Sequence, residues 1–92
     1  MARFRVPYPT DPERRQALFE RAIAKLQALS RGTFQGTPDV GSFQGWTPIG
    51  SFAGSYYSPP GSGEIEITLI KKPFLIPLAL IESEARRFVA TA

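Results

Sequence analysis

The chain contains neither cysteine nor histidine among its 92 residues. Cysteine is needed for a disulfide framework or a thiolate metal site, and histidine is the usual general base and imidazole ligand near neutral pH. These two absences exclude most familiar hydrolase, oxidoreductase and zinc-site arrangements. The sequence also has no phosphate-binding loop. We therefore expect a noncatalytic protein without a cofactor or a metal.

Charge is almost missing from the middle of the chain. Residues 32–63 hold all eight glycines of the sequence. Asp39 is the one Asp, Glu, Lys or Arg residue in this segment. The formal net charge of +3 is small for a dedicated nucleic-acid binder. A basic patch would have to come from Arg3, Arg5, Arg14, Arg15, Arg21 and Arg31. Acidic residues interrupt these arginines, so we expect a solvated helix face and no nucleic-acid partner.

Long apolar runs are also absent. The longest, from Pro73 to Ile81, is far below the roughly 20 residues of a membrane-spanning helix. The first residues lack the apolar run of a signal peptide, which favours a cytoplasmic protein. The length of the chain predicts one domain over residues 1–92.

Both ends of the chain carry clear element signals. Phe4 and Val6 alternate with arginines, which predicts a short edge strand. The capping box Thr10-Asp11-Pro12-Glu13 predicts a helix that begins at Asp11. Residues 64–69 alternate polar and apolar, which predicts a strand with Ile65, Ile67 and Leu69 towards the core. Two exposed glutamates on that strand, Glu64 and Glu66, are most often only solubilising.

A closing helix with Pro77 in its first turn is predicted, because proline suits that position. Leu78, Ile81, Ala85 and Phe88 recur on one side of that helix. On its solvent side, Glu82 with Arg86 and Glu84 with Arg87 are spaced for ion pairs.

The neutral middle contains a nine-residue repeat that places a phenylalanine between two glycines three times, at Phe34, Phe43 and Phe52. On a strand, each Gly-Phe-Gly set shares one face. Thr-Pro turn signals between the units favour short antiparallel strands, and a β-solenoid is the rival geometry. The sequence therefore predicts an α+β fold: one curved antiparallel sheet of four to five strands with two helices, in the order β-α-β-β-β-β-α.

This order resembles small helix-grip proteins, in particular the polyhydroxyalkanoic acid system protein family. The matching positions are the Phe4 and Val6 strand, Trp46, Gly54, the strand of residues 65–69, and Pro77 followed by Ile81-Glu82. The chain departs from the family pattern in having Pro7-Tyr8-Pro9 where histidine is usual. The resemblance implies a sheet with a concave apolar face that binds hydrophobic small molecules or hydrophobic surfaces.

The Gly-Phe-Gly face has two interpretations. Glycines let a ligand approach a sheet closely, with aromatic rings beside it for contact; alternatively, they only let a helix pack on a bent sheet. Parity along the strand puts Tyr56 on the core side and Tyr57 outside. The candidate ligand-binding residues are Phe34, Phe43, Trp46, Phe52, Gly54 and Tyr56. Their expected ligand is a hydrophobic small molecule or surface.

The apolar segment of residues 73–81 follows two lysines and is too apolar for one helix face. Part of it should remain exposed on a small domain, which is typical of a docking surface. The candidate partner-binding residues are Phe74, Leu75, Ile76 and Leu80. They favour a protein partner or a homo-oligomer over a membrane surface. A structural or assembly subunit is thus the alternative to a binding module.

Overall fold

A computed structural model describes residues 2–29, 32–48, 50–72 and 76–90. Its elements are β1 (Ala2–Pro7), α1 (Pro12–Leu29), β2 (Thr33–Gly36), β3 (Val40–Thr47), β4 (Gly50–Tyr57), β5 (Glu64–Lys71) and α2 (Leu78–Ala90). The five strands form one antiparallel sheet that is not closed into a barrel. The predicted α+β class and element order are confirmed, and the rival solenoid geometry is not what the repeat forms.

The strand order explains the length of the first helix. The sheet runs β1-β5-β4-β3-β2, so β1 and β2 lie at opposite edges. The chain must cross four inter-strand steps between them, roughly 19 Å. The 18 residues of α1 span roughly 27 Å, which is sufficient for this crossing.

The N-terminal cap of α1 is Asp11. Its Oδ2 accepts a hydrogen bond from the backbone N–H of Arg14 at 3.3 Å, and its carbonyl accepts the first helical bond, from Arg15, at 3.0 Å. The prediction of a cap at Thr10 and a helix beginning at Asp11 was wrong by one residue. The observed arrangement puts proline at the first helical position, where no N–H donor is needed.

The nine-residue repeat corresponds to two full strands and one short one. In the β3–β4 pair, Phe43 lies opposite Gly54 and Phe52 lies opposite Gly45. The β2–β3 turn begins at Gly36, whose φ of 133° suits glycine alone. A Cβ at Gly36 would also overlap the carbonyl oxygen of Val40. In the β3–β4 pair, the repeat therefore places the glycines of each strand opposite the phenylalanine rings of the other.

The sheet has an inner face, which carries Phe34, Phe43 and Phe52, and an outer face. Both helices pack on the inner face. The buried core of the described residues consists of Phe4, Val6, Leu18, Tyr56, Ile65 and Leu69. Tyr56 is buried and Tyr57 is 54% exposed, as parity predicted. Helix α2 has no buried residue, so the packing is tight around β1 and β5 and loose under α2.

Ion pairs organise the surface. Glu66 lies between two arginines of the edge strand, 3.4 Å from Nε of Arg3 and 3.5 Å from Nε of Arg5. Both predicted pairs on α2 form: Glu82 with Arg86 at 3.0 Å, and Glu84 with Arg87 at 3.6 Å. Within the part of the chain that the structure describes, neither helix has the length and apolar character needed to cross a bilayer.

Candidate functional site: an apolar cleft

Between the inner face of the sheet and the two helices lies a cleft of about 550 Å³. The sheet contributes Phe34, Phe43, Phe52, Tyr56, Ile67 and Leu69 to its lining. The helices contribute chiefly Phe19, Ala22, Leu26, Ile81, Ala85 and Phe88. The lining is almost wholly apolar, so the cleft is suited to bind a hydrophobic molecule.

Four phenylalanine rings form a continuous row along one side of the cleft. The ring centroids of Phe19 and Phe34 are 5.7 Å apart, those of Phe34 and Phe43 5.9 Å, and those of Phe43 and Phe52 6.3 Å. Tyr56 lies 6.2 Å from Phe34. These spacings are typical of favourable aromatic pairs, so the row is a pre-formed apolar surface.

Three rings of the cleft, those of Phe43, Phe52 and Tyr56, lie over glycines of the neighbouring strand. A Cβ at Gly54 would stand 2.7 Å from Cζ of Phe43, and one at Gly41 would stand 2.5 Å from the hydroxyl oxygen of Tyr56. A Cβ at Gly45 would overlap the ring of Phe52. The glycines therefore let the rings lie low against the sheet, which leaves room above them.

Each helix presents one alanine to the open space among its larger lining side chains. Ala22 of α1 and Ala85 of α2 line the cleft, and both are half-buried. Larger side chains at these positions would reach towards the aromatic row and fill the volume. The two alanines and the close approach of the Phe43, Phe52 and Tyr56 rings to the sheet thus leave the cleft open.

Charged groups stand at one mouth of the cleft, around Phe88. The Nζ of Lys25 lies 5.3 Å from the centroid of the Phe88 ring, and the guanidinium of Arg21 lies 5.4 Å from it. Both distances are typical of cation–π contacts. Among the described residues that line the cleft, one is acidic: Glu84, which is paired with Arg87. The mouth is therefore predominantly cationic.

The structure brings together four of the six candidate ligand-binding residues: Phe34, Phe43, Phe52 and Tyr56 all line the cleft. Gly54 lies beneath the ring of Phe43 and contributes to a small recess of about 200 Å³ on the outer face. Trp46 is 57% exposed and does not line the cleft. Its odd spacing from Phe43 puts it on the outer face, and grouping it with the phenylalanines overlooked that parity.

The candidate partner-binding residues do not form one surface among the described residues. Phe74 and Leu75 fall outside the described residues. Ile76 is half-buried and lines the cleft. Leu80 is 51% exposed on α2 and is not part of the cleft lining.

Sequence reasoning missed the helical half of the site. Phe19, Ala22 and Leu26 form the apolar stripe of α1, which the sequence assigns to ordinary core packing. The missing information was which face of the sheet the helices cover. Ala22 and Ala85 were the available signal. An alanine in the apolar stripe of a helix leaves unfilled volume opposite a large aromatic side chain of the sheet.

Arg15 is the centre of a second cluster, at the end of the sheet where the β2–β3 and β4–β5 turns lie. Its side chain is only 2% exposed, which corrects its assignment to a solvated helix face. Its guanidinium binds Asp39 at 2.9 Å and lies 4.8 Å from the centroid of the Tyr8 ring. It also donates to the carbonyl oxygens of Pro9, Ser58, Pro59 and Ser62. One side chain thus joins α1 to three separate connections.

Two tyrosine hydroxyls form hydrogen bonds with the backbone of the β2–β3 turn. The hydroxyl of Tyr8 donates to the carbonyl oxygen of Pro38, and that of Tyr56 donates to the carbonyl oxygen of Thr37, each at 2.7 Å. Burial, with a smaller contribution from Tyr8, raises the pKa of Tyr56 to about 12. Burial also raises the pKa of Tyr8, although the Arg15 guanidinium partly offsets this rise.

The raised pKa of Tyr56 makes stability dependent on alkaline pH. Below the ordinary tyrosine pKa of 10.0 the group is neutral in both states, and its contribution is fully present. Between that value and about 12 the unfolded chain ionises first, so the contribution is lost as pH rises. Urea unfolding across this range should show a shallower decline in the free energy of unfolding for Tyr56→Phe than for the parent protein.

Tyr57→Phe is the matched control for this measurement, because Tyr57 adjoins Tyr56 and is exposed. It should retain the full decline of the parent protein. Equal slopes for the two variants would contradict the assignment of the alkaline decline to Tyr56.

Among the described residues, no three His, Cys, Asp or Glu side chains lie together in an arrangement that could hold a metal ion.

Comparisons with protein-family models, with curated proteins and with solved structures find no match for this chain. The resemblance to the polyhydroxyalkanoic acid system proteins therefore stays a prediction.

Proposed function

We propose that the chain is a noncatalytic binding module that takes a hydrophobic small molecule into the cleft. The observation that carries this proposal is a volume of about 550 Å³ with a pre-formed aromatic side. Ligand sites of drug-sized molecules are typically about 300–1,000 Å³ and mostly apolar. The cleft falls within this range.

Packing supports the same function. The apolar residues of α2 that face the sheet are half-buried, and so are Phe34, Phe43 and Phe52. An occupant of the cleft would remove their remaining surface from water, which stabilises by about 25 cal/mol per Å² of apolar area. The rings already contact one another, so little ordering would oppose binding.

The test fills the cleft from the helix side. Ala22→Trp should place an indole in the volume and weaken binding of the neutral fluorescent dye phenylnaphthylamine about tenfold or more, or by at least ~1.4 kcal/mol. Dye titration followed by fluorescence gives the dissociation constants. Circular dichroism and urea unfolding of the same samples verify the fold.

Ala24→Trp provides the control, since Ala24 is exposed on the same helix. It adds the same indole without filling the cleft, so its dye affinity should equal that of the parent protein. Equal loss of affinity in both variants, or equal retention in both, would contradict binding in the cleft. Undetectable dye binding by the parent protein would overturn the proposed function itself.

An assembly subunit is the second candidate function, and the exposure of Leu80 favours it. Leu80 is 51% exposed on α2 and belongs, like Ile76, to the apolar segment of residues 73–81. A partner chain seated there would cover that exposed area. Native mass spectrometry distinguishes the two candidates, because it gives the mass of the protein with and without an added hydrophobic ligand.

A further inference from the structure

We infer that the ligand class is an anionic amphiphile, with an apolar tail in the cleft and a carboxylate or similar anionic head at Lys25. This inference rests on the proposed function and adds to it the polarity and orientation of the ligand. Three observations carry it: the position of Lys25, the engagement of the neighbouring acid, and the apolar character of the remaining lining.

Lys25 is placed where the head of a bound amphiphile would emerge. It lines the cleft from α1 and is itself exposed, so its ammonium stands at the boundary between apolar volume and water. The ammonium contacts the face of Phe88 across the mouth, which orients the lysine towards α2. An anion at this boundary would keep part of its hydration while its tail enters the cleft.

The ammonium of Lys25 is available for such an anion. Among the described residues it forms no ion pair, and its cation–π contact leaves its hydrogen-bond donors unused. Arg21, one helical turn earlier, places a second cation 5.4 Å from the centroid of the same ring.

The acidic residue at this mouth does not cancel the cationic character. The carboxylate of Glu84 lies 3.6 Å from the guanidinium of Arg87 and is engaged there. The remaining lining consists of apolar and aromatic side chains apart from the hydroxyls of Tyr8 and Tyr56. Both of these hydroxyls donate to carbonyl oxygens of the β2–β3 turn. The polar head of a ligand is therefore directed to the Lys25 mouth.

The experiment compares two probes of equal chain length, decanoate and decanol, as competitors of phenylnaphthylamine at neutral pH and low salt. The parent protein should bind decanoate about threefold to fivefold more tightly than decanol, the range expected of one exposed charge pair. Lys25→Gln should remove this preference by weakening decanoate binding and leave decanol unchanged. Added salt should reduce the preference of the parent protein and have no such effect on Lys25→Gln.

Lys71→Gln controls for the loss of one positive charge, because Lys71 is exposed and does not line the cleft. It should retain the preference for decanoate. Equal affinities for the two probes in the parent protein, or equal effects of the two lysine variants, would overturn the inference while leaving the cleft a hydrophobic site. Failure of the dye and both probes to bind would overturn the proposed function and this inference together.

Discussion

Arg15→Ala is expected to lower the free energy of unfolding by about 3–5 kcal/mol. Hydrogen bonds to a charged group contribute roughly 1.5–3 kcal/mol each, and a carbonyl left unpaired in a buried position adds a penalty of its own. Arg15 supplies bonds to four backbone carbonyls and to Asp39 while being almost fully buried. A domain of this size has a total stability of only about 5–14 kcal/mol. Thermal unfolding should therefore shift downwards by about 12 °C or more.

Arg14→Ala controls for this effect, because Arg14 is the preceding residue of the same helix and is exposed. It should change the free energy of unfolding by no more than about 0.5 kcal/mol. Arg15→Lys should behave like Arg15→Ala, since one ammonium cannot reach the carbonyls that the planar guanidinium spans. Equal urea midpoints for the Arg14 and Arg15 alanine variants would contradict the role of Arg15 as the link between the connections.

Gly54→Ala is expected to lower the free energy of unfolding by about 2–3 kcal/mol, at the upper end of the usual penalty for overpacking. The new Cβ would meet the ring of Phe43 at 2.7 Å and overlap the carbonyl oxygen of Thr68. The ring can rotate, but the carbonyl belongs to the neighbouring strand β5 and cannot yield without disturbing the sheet. Urea unfolding followed by circular dichroism measures the loss.

Gly63→Ala is the matched control, since a Cβ at Gly63 has no neighbour within 4 Å and its φ is not positive. It should leave stability unchanged or raise it by about 0.4–1 kcal/mol, because alanine restricts the unfolded chain. A Gly54 variant as stable as the Gly63 variant would show that the close contact at Gly54 is easily relieved.

The fold could be predicted from the sequence because its signals are local. Alternation over residues 64–69, the apolar stripe of each helix and the proline before α2 each determine an element without reference to the rest of the chain. Parity then separates Tyr56 from Tyr57. Even the cap of α1 was predicted to within one residue, because aspartate and proline act on their immediate neighbours.

The site could be predicted only in part, because it depends on tertiary relations. Phe34, Phe43 and Phe52 were identified by their shared face. The glycines between them were interpreted as places where a ligand approaches or where a helix packs on a bent sheet, and the structure instead puts Phe43 over Gly54 and Phe52 over Gly45. That contact depends on the β3–β4 register, which local patterning does not encode.

Arg15 illustrates the same limit. In sequence it is one of several arginines in the first third of the chain, and the helix pattern treats it like Arg14. Its burial arises because three connections close over the first turn of α1, and two of them, around Asp39 and from Ser58 to Ser62, come from distant parts of the chain. A buried arginine of this kind becomes recognisable only when the turns are placed in three dimensions.

The pairing of β1 with β5 has a consequence for how the chain folds. Ala2 lies opposite Leu69, so the first strand finds its partner only after most of the sequence is available. Contacts of such large sequence separation require the closure of a long loop and slow the folding reaction. During synthesis the β2–β3–β4 meander and α1 can form from neighbouring residues, whereas β1 has to wait for β5. The side chains of Phe4 and Val6, which are buried in the folded protein, reach their final environment only when that last pairing forms.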